Sequence, residues 1–374
     1  MKAGIALTLA GLGLERSDND LYQEELRLTD MAEPLGFDSI WSLEHHFTGY
    51  NMVPNPTQML SYFAARTKRV QLGTAVIVLP WHNPVRVAED IALLDVLSGG
   101  RTIFGFGRGT ATVEFDRLDS PQEESRERFA EAATIIRKAL TQEVFSHEGR
   151  FWNVPPTSIR PRPVSHPEKR FYASTVSPES SEMMARMGFG VMIIAQSTWE
   201  KAADDYHRYC DVARANGYGV KAPIALMTVL MSEDANEARD LGDVYIAKGF
   251  EHVDLHYGLS DGHLGKVKGY EFWAKMAKTY SRLISPEDRA KAVEFFKNLQ
   301  MVGTPAQVLE KFRHVFSLTG MGHVAAQFLP GAMPYGLGER SVKLFAEKVL
   351  PVLQKDPAFQ PKDESEAAQP RASA

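Results

Sequence analysis

Three short stretches of this chain carry side chains able to do chemistry: Glu44-His45-His46, the arginine of Gly105-Phe106-Gly107-Arg108-Gly109-Thr110, and the hydroxyl-rich run from Ser174 to Ser180. An imidazole titrates near neutral pH and serves as acid, base or hydrogen-bond donor. Neighbours on an extended backbone point in opposite directions, so one of His45 and His46 faces a cavity while the other packs outward; a purely structural pair is the alternative. The same alternation argues against a metal, and no second group of Cys, His or carboxylates sits at ligand spacing elsewhere.

Arg108 offers a forked donor suited to phosphate, and its flanking glycines let a planar ligand approach the backbone. A dinucleotide fingerprint is excluded, because Thr110 stands where the third glycine belongs. A glycine-permitted bend with a solvated arginine explains the same residues. Ser177 and Ser180 lie one turn apart where a strand passes into a helix, and helix N-termini attract anions. Ser177 as a plain N-cap is the simpler reading. No serine sits in a nucleophile elbow, so hydrolase chemistry finds no support.

The elements that must position these groups follow from periodicity. Apolar runs predict strands at Ala3 to Leu9, Ser39 to Ser42, Val70 to Val78, Thr102 to Gly107, Phe171 to Thr175, Val191 to Ala195, Ile224 to Leu230 and Val324 to Leu329. Between them, sets such as Val87, Ile91, Leu94 and Phe129, Ala133, Ile136, Leu140 place apolar side chains on one helical face, as do Trp199, Ala203, Tyr206, Cys210 and Ala213. Thr304-Pro305 reads as a helix start, and Gly36 and Gly188 as helix terminators. Eight alternating units predict an α/β fold of the (β/α)8 barrel type with insertions. In such a barrel Glu44, His45, His46 and Arg108 reach one rim, at the C-terminal ends of the strands.

A single domain is expected over residues 1–355, with an insertion at about 252–298 that is a candidate lid or wall, and a polar, disordered tail over 356–374. The region Glu143 to Arg170, rich in proline and aromatics, also exceeds ordinary loop length. With 374 residues, 44% of them hydrophobic, the chain can bury a large core. A net charge of -5 and scattered Lys and Arg provide no basic field for nucleic acid. No apolar run has the length of a membrane span. The apolar start, Ala3 to Leu14, resembles a signal-peptide core but lacks a cleavage site, and a buried first strand explains it. One cysteine, Cys210, fits a reducing compartment, so a cytoplasmic location is expected. The apolar face of Pro84 to Leu97 suggests a two-fold dimer contact.

The runs EHHFTGY, LGTAVIVLPWHNPVRVAEDIALLDVLSGGR and FGFGRG, in that order, resemble the α subunit of bacterial luciferase and the luciferase-like flavin monooxygenases. The resemblance covers most of the chain, more loosely from the first strand to Val302-Pro305 and the last helix. It implies a barrel enzyme that takes reduced FMN from a separate flavin reductase. With O2 such an enzyme forms a flavin hydroperoxide and oxygenates a small organic substrate. It further implies that His45 is the catalytic histidine, that Arg108, Ser177 and Ser180 hold the FMN phosphate, and that Gly107 and a cis Ala75–Val76 bond lie against the flavin. Glu89 would reach the partner's His46 in a homodimer. An oxygenating flavin must be kept from water, so Phe47, Tyr50, Trp81, His82 and Phe115, which follow strand ends, are candidate pocket walls. Gly107 stands where luciferase has a reactive cysteine and Val176 where it has a glutamate, while its pocket tryptophan is replaced near Ala195; these departures argue against light emission and a long-chain aldehyde substrate. Two other readings share this fold: a deazaflavin-dependent hydride transferase and a non-catalytic flavin-binding protein.

Overall fold

The computed structural model describes residues 1–13, 16–271 and 286–361. Its strands are β1 (Lys2–Ala6), β2 (Ser39–Ser42), β3 (Gln71–Val78), β4 (Thr102–Gly107), β5 (Phe145–Glu148), β6 (Asn153–Thr157), β7 (Phe171–Thr175), β8 (Gly190–Ile194), β9 (Ile224–Met231), β10 (Met301–Gly303) and β11 (His323–Gln327). Parallel pairing runs β1-β2-β3-β4-β7-β8-β9-β11 and closes back onto β1, where Lys2 pairs with His323. The eight expected strands are therefore the staves of a closed barrel. Nearly all their residues are buried, because the staves are covered by side chains inside and by helices outside.

Two apolar layers result. Inside the barrel Ala6, Trp41, Leu43, Ala75, Ile103, Met192, Leu226 and Ala325 pack together. Between staves and helices lies the larger core, which takes Val87, Ile91 and Leu94 from Pro84–Ser98 and Phe129, Ile136 and Leu140 from Ser125–Thr141. The Trp41 indole needs Gly73 opposite it on β3, since a Cβ there would meet the ring at 2.2 Å. The helix Pro305–Thr319 opens with a reciprocal capping box between Thr304 and Gln307.

The long regions resolve differently from a plain loop reading. Residues 143–170 carry the antiparallel β5–β6 hairpin and close on a short 3₁₀ turn at Pro167–Arg170. The helix Ala235–Tyr257 runs five residues past the expected start of the insertion at 252 and stops at Gly258, whose φ of 60° only glycine adopts readily. A second helix, Pro286–Leu299, follows, and β10 joins the far end of β9. At the other terminus the packed chain passes the expected boundary at 355: Phe359 is buried, and its carbonyl accepts from the Met1 ammonium at 2.7 Å. The remainder of the expected tail, 362–374, lies outside the described residues. No helix among the described residues is long and apolar enough to cross a membrane.

Candidate active site

At the C-terminal end of β2 the chain leaves the barrel through Glu44, His45 and His46, and the three side chains part company. Glu44 is fully buried and accepts from the Val78 N–H at 2.7 Å. Its other oxygen faces His46 Nε2 at 3.1 Å and His82 Nε2 at 2.5 Å. Burial alone would raise its pKa, but the two imidazoles and the amide more than offset this and hold it below the ordinary carboxylate value. His82 responds in kind: burial works to lower its pKa, yet the Glu44 charge and hydrogen bond raise it.

His45 turns to a second carboxylate. Glu114, 1% exposed on the short helix Thr112–Arg117 after β4, accepts the His46 backbone N–H at 2.8 Å through Oε1. The same oxygen is 3.2 Å from His45 Nδ1 and 3.3 Å from His256 Nε2. Burial would raise the Glu114 pKa, but the two histidines outweigh it and bring it to about 2. His256 arrives from the end of Ala235–Tyr257; burial lowers its pKa, with Glu114 opposing. Its Nδ1 is 2.7 Å from Thr48 Oγ1, and Tyr50 stacks on its ring at 4.8 Å between centroids. Tyr257 brings its hydroxyl to 3.4 Å from His45 Nε2. Burial pushes the Tyr50 phenol up to about 12 and the Tyr257 phenol well above its usual range, so both stay protonated as donors.

His45 Nδ1, Glu114 Oε1 and His256 Nε2 lie within 4.8 Å of one another and are of types that bind divalent ions. Spacing along the chain gave no sign of this group, because Glu114 and His256 stand 69 and 211 residues from His45. Each atom is also within hydrogen-bonding reach of the other two, so proton sharing accounts for the cluster without an ion.

The opposite arc of the rim, formed by β3, β4 and β7, has the features of an anion and ring site. The Ala75–Val76 peptide bond is cis. Gly107 ends β4 where a Cβ would meet Val76 Cγ2 at 2.4 Å, so a bare backbone is required there. Arg108 Nη1 is buried without a hydrogen-bond partner, and its guanidinium lies 4.1 Å from the Tyr270 ring centroid. Burial lowers its pKa, and Arg126 beside it adds a like charge. Ser177 caps the helix Pro178–Arg186, its Oγ accepting from Ser180 N at 3.3 Å and lying 3.1 Å from Ser180 Oγ. Gly269 connects the two sides: a Cβ on it would stand 3.3 Å from Arg108 Nη1, and it lines one groove with Ser177, Arg126, Lys201 and Lys268. Glu123, Glu127, Glu179 and Glu271 line that groove as well, so its cations are balanced by carboxylates, and the unpartnered Nη1 of Arg108, which lies outside its lining, is the stronger mark of an anion site.

Of the five aromatic candidates for a pocket wall, Tyr50 lines the cavity at the barrel mouth. Trp81 and Phe115 pack on each other and on the His46 side, with ring centroids 5.4 and 5.5 Å apart, and His82 serves Glu44. Phe47 is 52% exposed beneath Arg117. Glu89 pairs with Arg86 on its own helix, whose Leu93, Val96 and Leu97 are exposed. Sequence reading missed Glu114, Arg126 and Tyr270 as site residues, and His256 and Tyr257 fell only within the insertion read as a candidate lid or wall. Their one shared signal is position after a strand or at a helix end, which many inert residues share.

The family described as luciferase-like monooxygenase matches residues 1–322. The alkanal monooxygenase alpha chain of the Kryptophanaron alfredi symbiont is 26% identical over 340 residues, covering 90% of this chain and 94% of that one. Among solved structures, the monooxygenase RslO1 from Streptomyces bottropensis is 30% identical with a TM-score of 0.77, covering 94% of this chain and 99% of its own. The oxygenating constituent of 3,6-diketocamphane monooxygenase from Pseudomonas putida, a type II Baeyer-Villiger enzyme in complex with FMN, shares the fold at 20% identity and a TM-score of 0.75, covering 94% and 98%. The chain belongs to the luciferase-like monooxygenase family, whose members are flavin-dependent monooxygenases.

Proposed function

We propose that the chain is the oxygenating component of a two-component system, taking reduced FMN from a separate flavin reductase in the cytoplasm and inserting oxygen from O2 into a small organic substrate. The observation that carries the FMN reading is Arg108, a half-buried guanidinium whose Nη1 is buried and unpartnered at the rim, one residue beyond Gly107, which packs against Val76. A buried N–H donor left unmade is costly, and a phosphate supplies both charge and acceptors. Ser177 and Ser180 add hydroxyls and a helix N-terminus to the same anion. Ala75, Val76 and Gly107 offer the flat face against which a ring rests. Reduced FMN supplies the electrons that activate O2; the protein's residues bind, orient and manage protons.

His45 is the proton-handling group. With Nδ1 turned to Glu114, its Nε2 is the nitrogen free to meet a reacting oxygen, next to the Tyr257 hydroxyl. Glu114 fixes the tautomer and orientation of the ring, and His256 completes that carboxylate's hydrogen bonds. Tyr50 closes the cavity against water, and Phe47, Trp81, His82 and Phe115 back the His46 side of the wall. The exposed Leu93, Val96 and Leu97 support a homodimer through Pro84–Ser98, with His46 and Glu89 near the seam.

The test is rapid mixing of the purified protein, loaded with chemically reduced FMN, against O2. A persistent near-ultraviolet transient that decays to oxidised FMN is expected; direct one-step reoxidation refutes the oxygenase assignment. Arg108→Met should weaken FMN binding by roughly 10- to 100-fold, read by fluorescence titration, because a charged hydrogen-bonded contact is lost. An unchanged dissociation constant would place the phosphate elsewhere.

A further inference from the structure

The adjacent His45 and His46 point to different carboxylates, as alternation on an extended backbone requires, so they are no chelating pair. Folding gathers a different set. His45 Nδ1 stands 3.2 Å from Glu114 Oε1 and 3.2 Å from His256 Nε2, and Glu114 Oε1 stands 3.3 Å from His256 Nε2. The three atoms form a nearly equilateral triangle. Ligands about 2.0–2.1 Å from a tetrahedral zinc ion stand about 3.3–3.4 Å from one another, so the triangle has close to the edge a metal needs before any side chain moves.

The surroundings suit a metal as well. Glu114 Oε2 is buried with no hydrogen-bond partner, and among the described residues no lysine or arginine pairs with this carboxylate; its partners are two imidazoles and the His46 N–H. Buried carboxylates are either paired or bound to metal, and a divalent ion would bring the fixed positive charge that this one lacks. The far nitrogens are held as those of ligating histidines are held. His256 Nδ1 lies 2.7 Å from Thr48 Oγ1, and His45 Nε2 lies 3.4 Å from the Tyr257 hydroxyl. A proton on each of these nitrogens leaves the lone pair on the one that faces Glu114. The Glu114 and His256 side chains are closed off, at 1% and 0% exposure, while His45 is 13% exposed and gives an ion its way in.

We propose that His45 Nδ1, Glu114 Oε1 and His256 Nε2 bind Zn²⁺ or a divalent transition ion of similar preference, and that the bound ion takes His45 out of proton handling. Two imidazoles and one carboxylate suit such ions, whereas Mg²⁺ and Ca²⁺ demand a shell of oxygens. Three protein ligands leave the fourth position to water. Binding needs a lone pair on each ligating nitrogen, so protons shared within the ion-free cluster are released to solvent. With Nδ1 on the metal, His45 keeps a proton on Nε2; it can donate that proton but has no nitrogen left to accept one. This consequence rests on the role given to His45 above; the metal site itself does not.

The site is tested on the flavin-free protein, by titrating Zn²⁺ against a chromophoric chelator and by following the visible absorption of Co²⁺ in its place. One tightly bound ion per chain is expected, with the intense Co²⁺ bands of four-coordinate geometry, and excess Mg²⁺ should not displace it. His256→Leu and Glu114→Gln should each weaken Zn²⁺ binding by more than roughly 100-fold and Thr48→Val by roughly 10-fold, since losing a ligand costs more than losing the group that orients one. Absence of binding overturns the proposal, as does an affinity undiminished in both ligand variants, which would assign the ion to histidines on the surface. If either variant fails to fold, by circular dichroism, the other carries the comparison. In the FMN-loaded protein Zn²⁺ should shorten the near-ultraviolet transient formed with O2, and a chelator should restore it. A transient indifferent to Zn²⁺ in protein shown to bind it overturns the inhibitory role. Failure of FMN to bind sinks the flavin reading and leaves the Co²⁺ spectrum legible, so the two proposals fail by different measurements.

Discussion

Histidine is buried at both ends of this barrel, and the two ends treat it oppositely. On the floor, His323 of β11 meets Ser39 Oγ at 2.7 Å and the edge of the Trp41 ring at 5.1 Å between centroids. Burial there, together with the positive charges of Lys2 and the amino terminus, lowers its pKa to about 3, so it is neutral. At the mouth, burial also works to lower the pKa of His82, yet Glu44 raises it, and Glu114 is brought to about 2 by His256 and His45. Desolvation alone silences the His323 imidazole; at His82 the Glu44 carboxylate reverses the direction, while at His256 Glu114 only opposes it. The position of the carboxylates thus separates the end that stabilises the barrel from the end that works.

The comparison can be broken most sharply at His45. His45→Ala should reduce substrate oxygenation by roughly 10²- to 10⁴-fold while FMN is retained, measured as product formed per reduced flavin consumed. Unchanged product yield would remove His45 from the chemistry. Glu114→Gln keeps the shape and deletes the charge; a loss of roughly 10- to 100-fold is expected, with hydrogen peroxide released in place of product, because the imidazole loses its orienting partner. Wild-type coupling in that variant would show that Glu114 serves only the fold.

At the floor the effect is on stability and its sign is fixed. The folded pKa of His323 lies below its unfolded value of about 6.5, so the unfolded chain takes the proton first. Its contribution is complete above about 6.5 and declines as pH falls toward about 3, by roughly 1.4 kcal/mol per pH unit at the steepest. His323→Gln should flatten this acid limb in urea denaturation measured across pH, with neutral-pH oxygenation unaffected. An acid limb identical in both proteins would assign acid sensitivity to other groups.

The smallest effect concerns the proposed dimer face. Leu97→Glu places a charge on the exposed face of Pro84–Ser98 and should shift the protein toward monomer in sedimentation at micromolar concentration. A protein that is already monomeric before substitution would instead assign that face to solvent.

The staves were legible because a barrel strand is buried on both sides and therefore reads as an unbroken apolar run, as Ile224–Met231 does. Arg108 and the Glu44-His45-His46 set were legible because each follows such a run directly. Glu114 was not: one carboxylate in a charged stretch reads as solvated, and only the closing of the barrel brings it beneath His45. His256 and Tyr257 were hidden for a different reason, since they close a long helix, Ala235–Tyr257, whose spacing alone does not show that its end meets His45. Phe47, Trp81, His82 and Phe115 also follow strand ends, yet they turn to the His46 side, because chain order sets which rim a residue reaches but not the direction its side chain takes from there.

The helix Ala235–Tyr257 supplies both the roof over the mouth, through Ile246, Phe250 and Val253, and the imidazole that leans on Glu114. It is a single rod with two jobs. Whatever fills the space beneath it touches the same helix that carries His256 to Glu114, and Glu114 in turn faces His45.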